Sequence, residues 1–209
     1  MINSKAMLDF YIKADCMMNR GYFSPSFKQI VKNFFAPDLI MSFIINMRKC
    51  EYYSSKKKFG LRTLWYKNRV YRLGIKLGFS IPLNVFGYGL VVPHRGTIVC
   101  GSGNKIGNYC VLHTSTCITA GKKQIGNGFY LSTGAKVIHD IHLLDNISVG
   151  ANSVVNKSFE VDNSLIAGMP AKVIKKAEPW YLRDGAEYSR RHDECEKLRQ
   201  KIGINDGLL

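Results

Sequence analysis

Residues 125–161 read IGNGFYLSTGAKVIHDIHLLDNISVGANSVVNKSFEV. Stepping by six from Ile125 gives Leu131, Val137, Leu143, Val149, Val155 and Val161, and the same step runs on to Ala167 and Val173. An amphipathic helix repeats every 3.6 residues and a half-buried strand every two, so neither accounts for a period of six. Three hexads close one triangular coil of about 18 residues. Their aliphatic residues then stack as interior ladders, each coil burying the next.

Upstream, Ile106, Leu112 and Ile118 keep the same step, offset by one residue at Thr119-Ala120-Gly121-Lys122-Lys123-Gln124, which reads as a loop between coils. Gly or Asn recurs where corners must fall, at Asn108, Asn127-Gly128, Asn146 and Asn152, because these residues tolerate the positive φ of tight turns. Before Ile81-Pro82 the texture is different. Runs such as FKQIVKNFF (27–35) and LWYKNRVYRL (64–73) are amphipathic at helical spacing, with Pro25 and Pro37 as breaks. The predicted architecture is mainly β: a left-handed parallel β-helix over residues 79–176, preceded by a basic α-helical region over 1–78. A C-terminal helical tail over 177–209 follows, helical in its 187–201 portion.

The formal charge of +15 is uneven: residues 1–78 carry 15 Lys and Arg against 4 Asp and Glu, the remainder 15 against 11. Such a surface attracts anions, among them acidic lipid headgroups and charged saccharides, although a simply solvated basic face is the plainer reading. No nucleic-acid module accompanies it, so a nucleic-acid partner is not expected. No stretch approaches the roughly 18 apolar residues of a membrane span. Lys5, Asp9 and Lys13 interrupt any signal-peptide core. Six cysteines without a CxxC pair argue against a zinc ribbon or a disulfide scaffold. A cytoplasmic protein, peripheral at the inner face of the membrane if the basic region works there, is the resulting expectation.

The repeats, together with GLVVPHRGTIV (89–99), GANSVV (150–155) and AGMPAK (167–172), resemble the hexapeptide-repeat acyltransferases. Within them they are similar to the serine acetyltransferase-like branch that includes polysaccharide O-acetyltransferases. The resemblance implies a homotrimer with active sites at subunit boundaries and acetyl-CoA as co-substrate along the prism. It implies His94 as the catalytic base and the pantetheine arm along Thr133, Gly134 and Ala151, with Lys172 toward the CoA phosphates. For each small residue plain coil geometry is the alternative, and for Lys172 a solvated charge. Two departures stand out. Serine acetyltransferases carry Asp before the catalytic His, where this chain has Pro93, and a His-Pro pair on a longer loop, which the loop 120–124 lacks.

Transfer of acetyl from a thioester to a hydroxyl needs a base, and imidazole serves near neutral pH. His113 follows His94 by 19 residues, one coil plus one, which lets it orient His94, meet the acceptor, or sit on the surface. Backbone N–H groups at Ala120 and Gly121 are candidate oxyanion donors. His139 and His142 beside Asp140 hint at a metal, but their spacing does not match the β-helical zinc enzymes, and no metal is expected. The leading function is O-acetylation of a sugar hydroxyl in a surface polysaccharide or its precursor. Serine O-acetylation is the alternative, and a non-catalytic scaffold the third reading.

Overall fold

The computed structural model describes residues 2–204. Four helices come first: α1 (Lys5–Arg20), α2 (Phe27–Phe35), α3 (Leu39–Lys56) and α4 (Leu61–Leu77). Ser4, Ser26 and Asp38 start the first three by accepting the N–H of Met7, Gln29 and Met41, which satisfies a donor that the first turn leaves free. Pro25 and Pro37 fall outside the helices, as the sequence suggests.

Beyond Gly78 the chain winds into a left-handed parallel β-helix of about five turns. The first face stacks Phe79–Ser80, Ile98–Cys100, Thr116–Ile118, Lys136–Val137 and Val154–Val155. The second holds Lys105–Ile106, Gln124–Ile125 and His142–Leu143. The third holds Val111–Leu112, Tyr130–Leu131, Ile147–Val149 and Ser164–Gly168, closed by Ala171–Lys176 running antiparallel. Ile125, Leu131, Val137, Leu143, Val149 and Val155 are all fully buried, which is the six-residue ladder. Phe86, Val92 and Ile98 add a coil above it that the repeat count did not reach.

The ladder ends before the sequence pattern does. Val161 and Val173 are exposed and Ala167 is only half-buried; Phe159 and Ile166 take the interior places instead. Phe159 bridges Leu143 and Ile166 pairs with Val149, so the last coil is shortened before Ala171–Lys176 turns back on the third face. A bulky aromatic fills at position 159 what a regular hexad would have filled at 161. The extra residue between Ile118 and Ile125 also has a cause. Lys123 folds inward, fully buried, and its Nζ donates to the carbonyls of Thr119 (2.9 Å) and Ala120 (3.3 Å).

At the corners, Gly128, Asn146 and Asn152 adopt positive φ as expected, but Asn108 and Asn127 do not; Tyr109 takes the left-handed position. The two asparagines act through their side chains. Asn127 Oδ1 accepts the Asn108 N–H (2.8 Å), and Asp145 Oδ1 accepts the Asn127 N–H (2.6 Å), tying one coil's corner to the next.

Two polar devices fix the helices on this frame. Arg48 of α3, fully buried, bonds Asp15 of α1 at 2.8 Å, Glu51 at 3.1 Å and the Phe86 carbonyl at 2.9 Å. Asp15 and Glu51 in turn accept the N–H groups of Leu90 and Asn84. Buried charges persist only when paired in this way. The C-terminal α5 (Trp180–Arg183) and α6 (Ala186–Lys201) pack with α1 over the third face, around Phe10, Tyr88, Val91, Tyr109, Val111 and Trp180. Trp180 Nε1 donates to the Tyr109 carbonyl. Residues 205–209 of the predicted tail, like Met1, lie outside the described residues.

Candidate active site

The chain turns from the third face to the first at one edge of the prism, and five successive coils cross it. His94-Arg95-Gly96 lies at the top. Below come His113-Thr114-Ser115, Ser132-Thr133-Gly134 and Gly150-Ala151-Asn152, with Ala167-Gly168 at the bottom. The backbone binds these turns to one another: Gly134 N–H donates to Thr114 O (3.1 Å), Asn152 N–H to Thr133 O (2.9 Å), and Gly150 N–H to Ile166 O (2.9 Å). At Gly134 the φ is +75°, and a Cβ would stand 2.0 Å from Asn152 Oδ1, so this turn admits no side chain.

Five predicted site residues therefore share this edge. His94, Thr133 and Ala151 are exposed there, His113 is half-buried, and Gly134 is the buried turn. Lys172 joins them at the lower end as the exposed register partner of Ala167. Ala120 and Gly121 do not. They sit where the chain leaves the first face, at the far end of Thr116–Ile118 from His113. The Gly121 N–H already donates to the Ser102 carbonyl (3.2 Å), which leaves it unavailable as an oxyanion donor. Ala120 opens on a cleft of about 820 Å³ between α4 and the first face, walled by Phe43, Tyr71, Ile75, Phe79 and Leu83.

The segment that delivers His94 is held from outside the β-helix. Asn19 of α1 donates to the Leu90 carbonyl (2.7 Å) and accepts the Val92 N–H (3.1 Å), while Asp15 accepts the Leu90 N–H. On the other side Gly96 N–H donates to the Leu77 carbonyl at the end of α4. Burial holds the His113 imidazole below its ordinary pKa, and the neighbouring charge of His94 pushes the same way, with Asp184 opposing. His113 Nε2 meets the Tyr130 hydroxyl at 2.7 Å. Arg183 lies over the Tyr130 ring at 4.7 Å, bonds Ser148 Oγ (2.9 Å) and pairs with Asp184 (2.7 Å). Tyr130, Arg183, Asp184 and Asn19 were not singled out in the sequence. Only Tyr130, next to ladder residue Leu131, was placed by the repeat.

His139 and His142 flank a different corner and turn to Asn156 O and Glu160, respectively. Among the described residues no three His, Cys, Asp or Glu side chains converge on a point that could hold a metal ion.

The hexad-built parallel β-helix resembles the fold of the hexapeptide-repeat acyltransferases. Within that class the similarity is to serine acetyltransferases. The chain is 29% identical over 98 residues to the serine acetyltransferase of Synechococcus elongatus, covering 44% of this chain and 40% of that one. It is 26% identical over 147 residues to that of Staphylococcus aureus, covering 67% and 65%. The chain thus spans between two fifths and two thirds of these relatives' length. No family model matches it. Among solved structures, a Neisseria gonorrhoeae serine acetyltransferase in complex with serine superposes with a TM-score of 0.58 at 21% identity, over 82% of this chain and 71% of that one. A serine acetyltransferase in complex with CoA gives 0.55 at 17%, over 81% and 69%. At these identities the structures bear on the fold alone.

Proposed function

We propose that this protein is an acetyl-CoA-dependent O-acetyltransferase whose reaction runs along the edge that carries His94. The observation that carries this reading is the pair His94 and His113 on adjacent coils, the second shifted toward its neutral form by burial and by the first. In the proposed step His94 takes the acceptor hydroxyl proton as the oxygen attacks the thioester carbon. The C–O bond forms, the C–S bond breaks, and the proton passes to the departing CoA sulfur. In this reading the pantetheine arm lies along the turns of Thr133, Gly134 and Ala151, and its phosphates reach toward the exposed Lys172. In one chain Ala120 lies at the opposite end of the first face from His94. A homotrimer, in which the first face's far edge meets a neighbour's His94 edge, would bring the two together.

For the acceptor, the relatives' names favour L-serine over a sugar, and the geometry offers two groups suited to an amino acid. Asp184 and Arg183 pair with each other at 2.7 Å beside Tyr130, and a bound amino acid would exchange for that pair, its ammonium on Asp184 and its carboxylate on Arg183. Pro93 favours the second reading, a sugar hydroxyl, because it removes the carboxylate that serine enzymes place before the base. Release of free CoA thiol measured with L-serine and with a panel of nucleotide sugars separates them. The serine reading predicts turnover with L-serine, and a rise in its KM of about tenfold or more in Asp184→Asn and Arg183→Gln. Turnover with a sugar alone would transfer the acceptor to the second reading. No thiol release from any hydroxyl compound would remove the acetyltransferase reading.

A further inference from the structure

The helix α2 is a nine-residue element that buries none of its residues. Phe27, Phe34 and Phe35 are each more than four-fifths exposed, and Ile30 and Val31 are exposed beside them. At 100° per residue these five side chains fall on one arc of about 140°. Lys28 and Lys32 border that arc, and Gln29 and Asn33 fill the opposite side. A helix this short is marginal by itself, even with the capping box that Ser26 and Gln29 provide. An apolar face this clean and this bare is built to be covered.

The charge around α2 indicates by what. The four carboxylates of residues 1–78 are all taken, by Lys13, Arg20 and Arg48. The other twelve Lys and Arg of that region have no carboxylate partner among the described residues, so the helical layer presents nearly unrelieved positive charge. On α4 this charge is interleaved with exposed Leu61, Trp65, Tyr71 and Ile75. No single helix is long and apolar enough to cross a membrane. The bent pair α2 and α3 passes by composition, but α3 buries Phe43, Ile44 and Met47, and its Arg48 closes the internal ion-pair cluster. Of this pair, α2 is the one with an apolar face to give.

We infer that α2 lies in the plane of a lipid bilayer, its phenylalanines among the acyl chains, and that the basic layer selects anionic headgroups. The docked surface belongs to the helices, so the inference is independent of which hydroxyl is acetylated.

Flotation of the full chain with vesicles tests it. Vesicles of phosphatidylcholine mixed with phosphatidylglycerol should carry the protein, vesicles of phosphatidylcholine alone should not, and added salt should weaken the binding. Phe34→Glu with Phe35→Glu should lower the bound fraction about tenfold or more while leaving the circular dichroism unchanged, since α2 packs on nothing. Lys28→Glu with Lys32→Glu should do the same with the apolar face intact. Turnover on a soluble acceptor should be unchanged in both, which separates failure here from failure of the acetyltransferase reading. Absence of wild-type flotation, or flotation indifferent to both variants, would overturn the inference. So would a wild type that stays off vesicles while the phenylalanine variant alone shifts to a smaller oligomer, because a second copy would then be the cover.

Discussion

His94 and His113 differ in what surrounds them. His94 is exposed at the end of a segment pinned by Asn19, whereas His113 is half-buried against Tyr130. Because burial and then His94 disfavour its charged form, His113 in the folded chain binds a proton only below its ordinary value of 6.5. Between that lowered value and about 6.5 the unfolded chain holds more protons, so stability rises with pH across this window and is lost as pH falls through it. Denaturation midpoints compared between about pH 5 and 7 should therefore show a shallower acid-side slope in His113→Asn than in the wild type. An identical slope would mean that His113 titrates as it does in the unfolded chain. Both histidines were legible in the sequence, one from its motif and one from the 19-residue spacing. Their partners were not: Arg183 reaches Tyr130 across 53 residues, and Asn19 reaches Leu90 across 71, contacts that no local pattern encodes.

Among the elements, the hexads were readable as far as Val155 because each interior place there is filled by one aliphatic at a fixed step. After it the pattern of letters continued while the coil did not, since Phe159 claims the volume and the antiparallel Ala171–Lys176 ends the winding. Two substitutions separate letters from structure. Val137→Asp places a charge in the closed interior without a partner, at a cost of several kcal/mol, and should leave little folded protein. Val161→Asp, on the same nominal ladder but exposed, should change stability by no more than about 0.5 kcal/mol. Urea denaturation of the two decides it, and comparable losses would restore the unbroken register. The helices show the complementary limit. The periodicity of residues 27–35 is that of a core helix, and only the surroundings reveal that α2 covers nothing.

At the scale of the molecule, an N-terminal helical layer and a C-terminal pair clamp the upper coils and the third face, and the edge below His94 remains open. The charge asymmetry was visible in the residue counts of the two segments, and the β-helix in the six-residue period. What composition could not show is that internal pairing consumes every carboxylate of the first region, so the positive layer is purer than its count. The central claim is that this open edge transfers acetyl groups with His94 as base. Its most direct test is thiol release by wild type and His94→Ala on the productive acceptor, with acetyl-CoA affinity measured by calorimetry on the same preparations. We predict a loss of about 10²- to 10⁴-fold in kcat with affinity nearly unchanged, since the proposed path of the cofactor avoids this side chain. A His94→Ala protein with near-normal kcat would contradict the account.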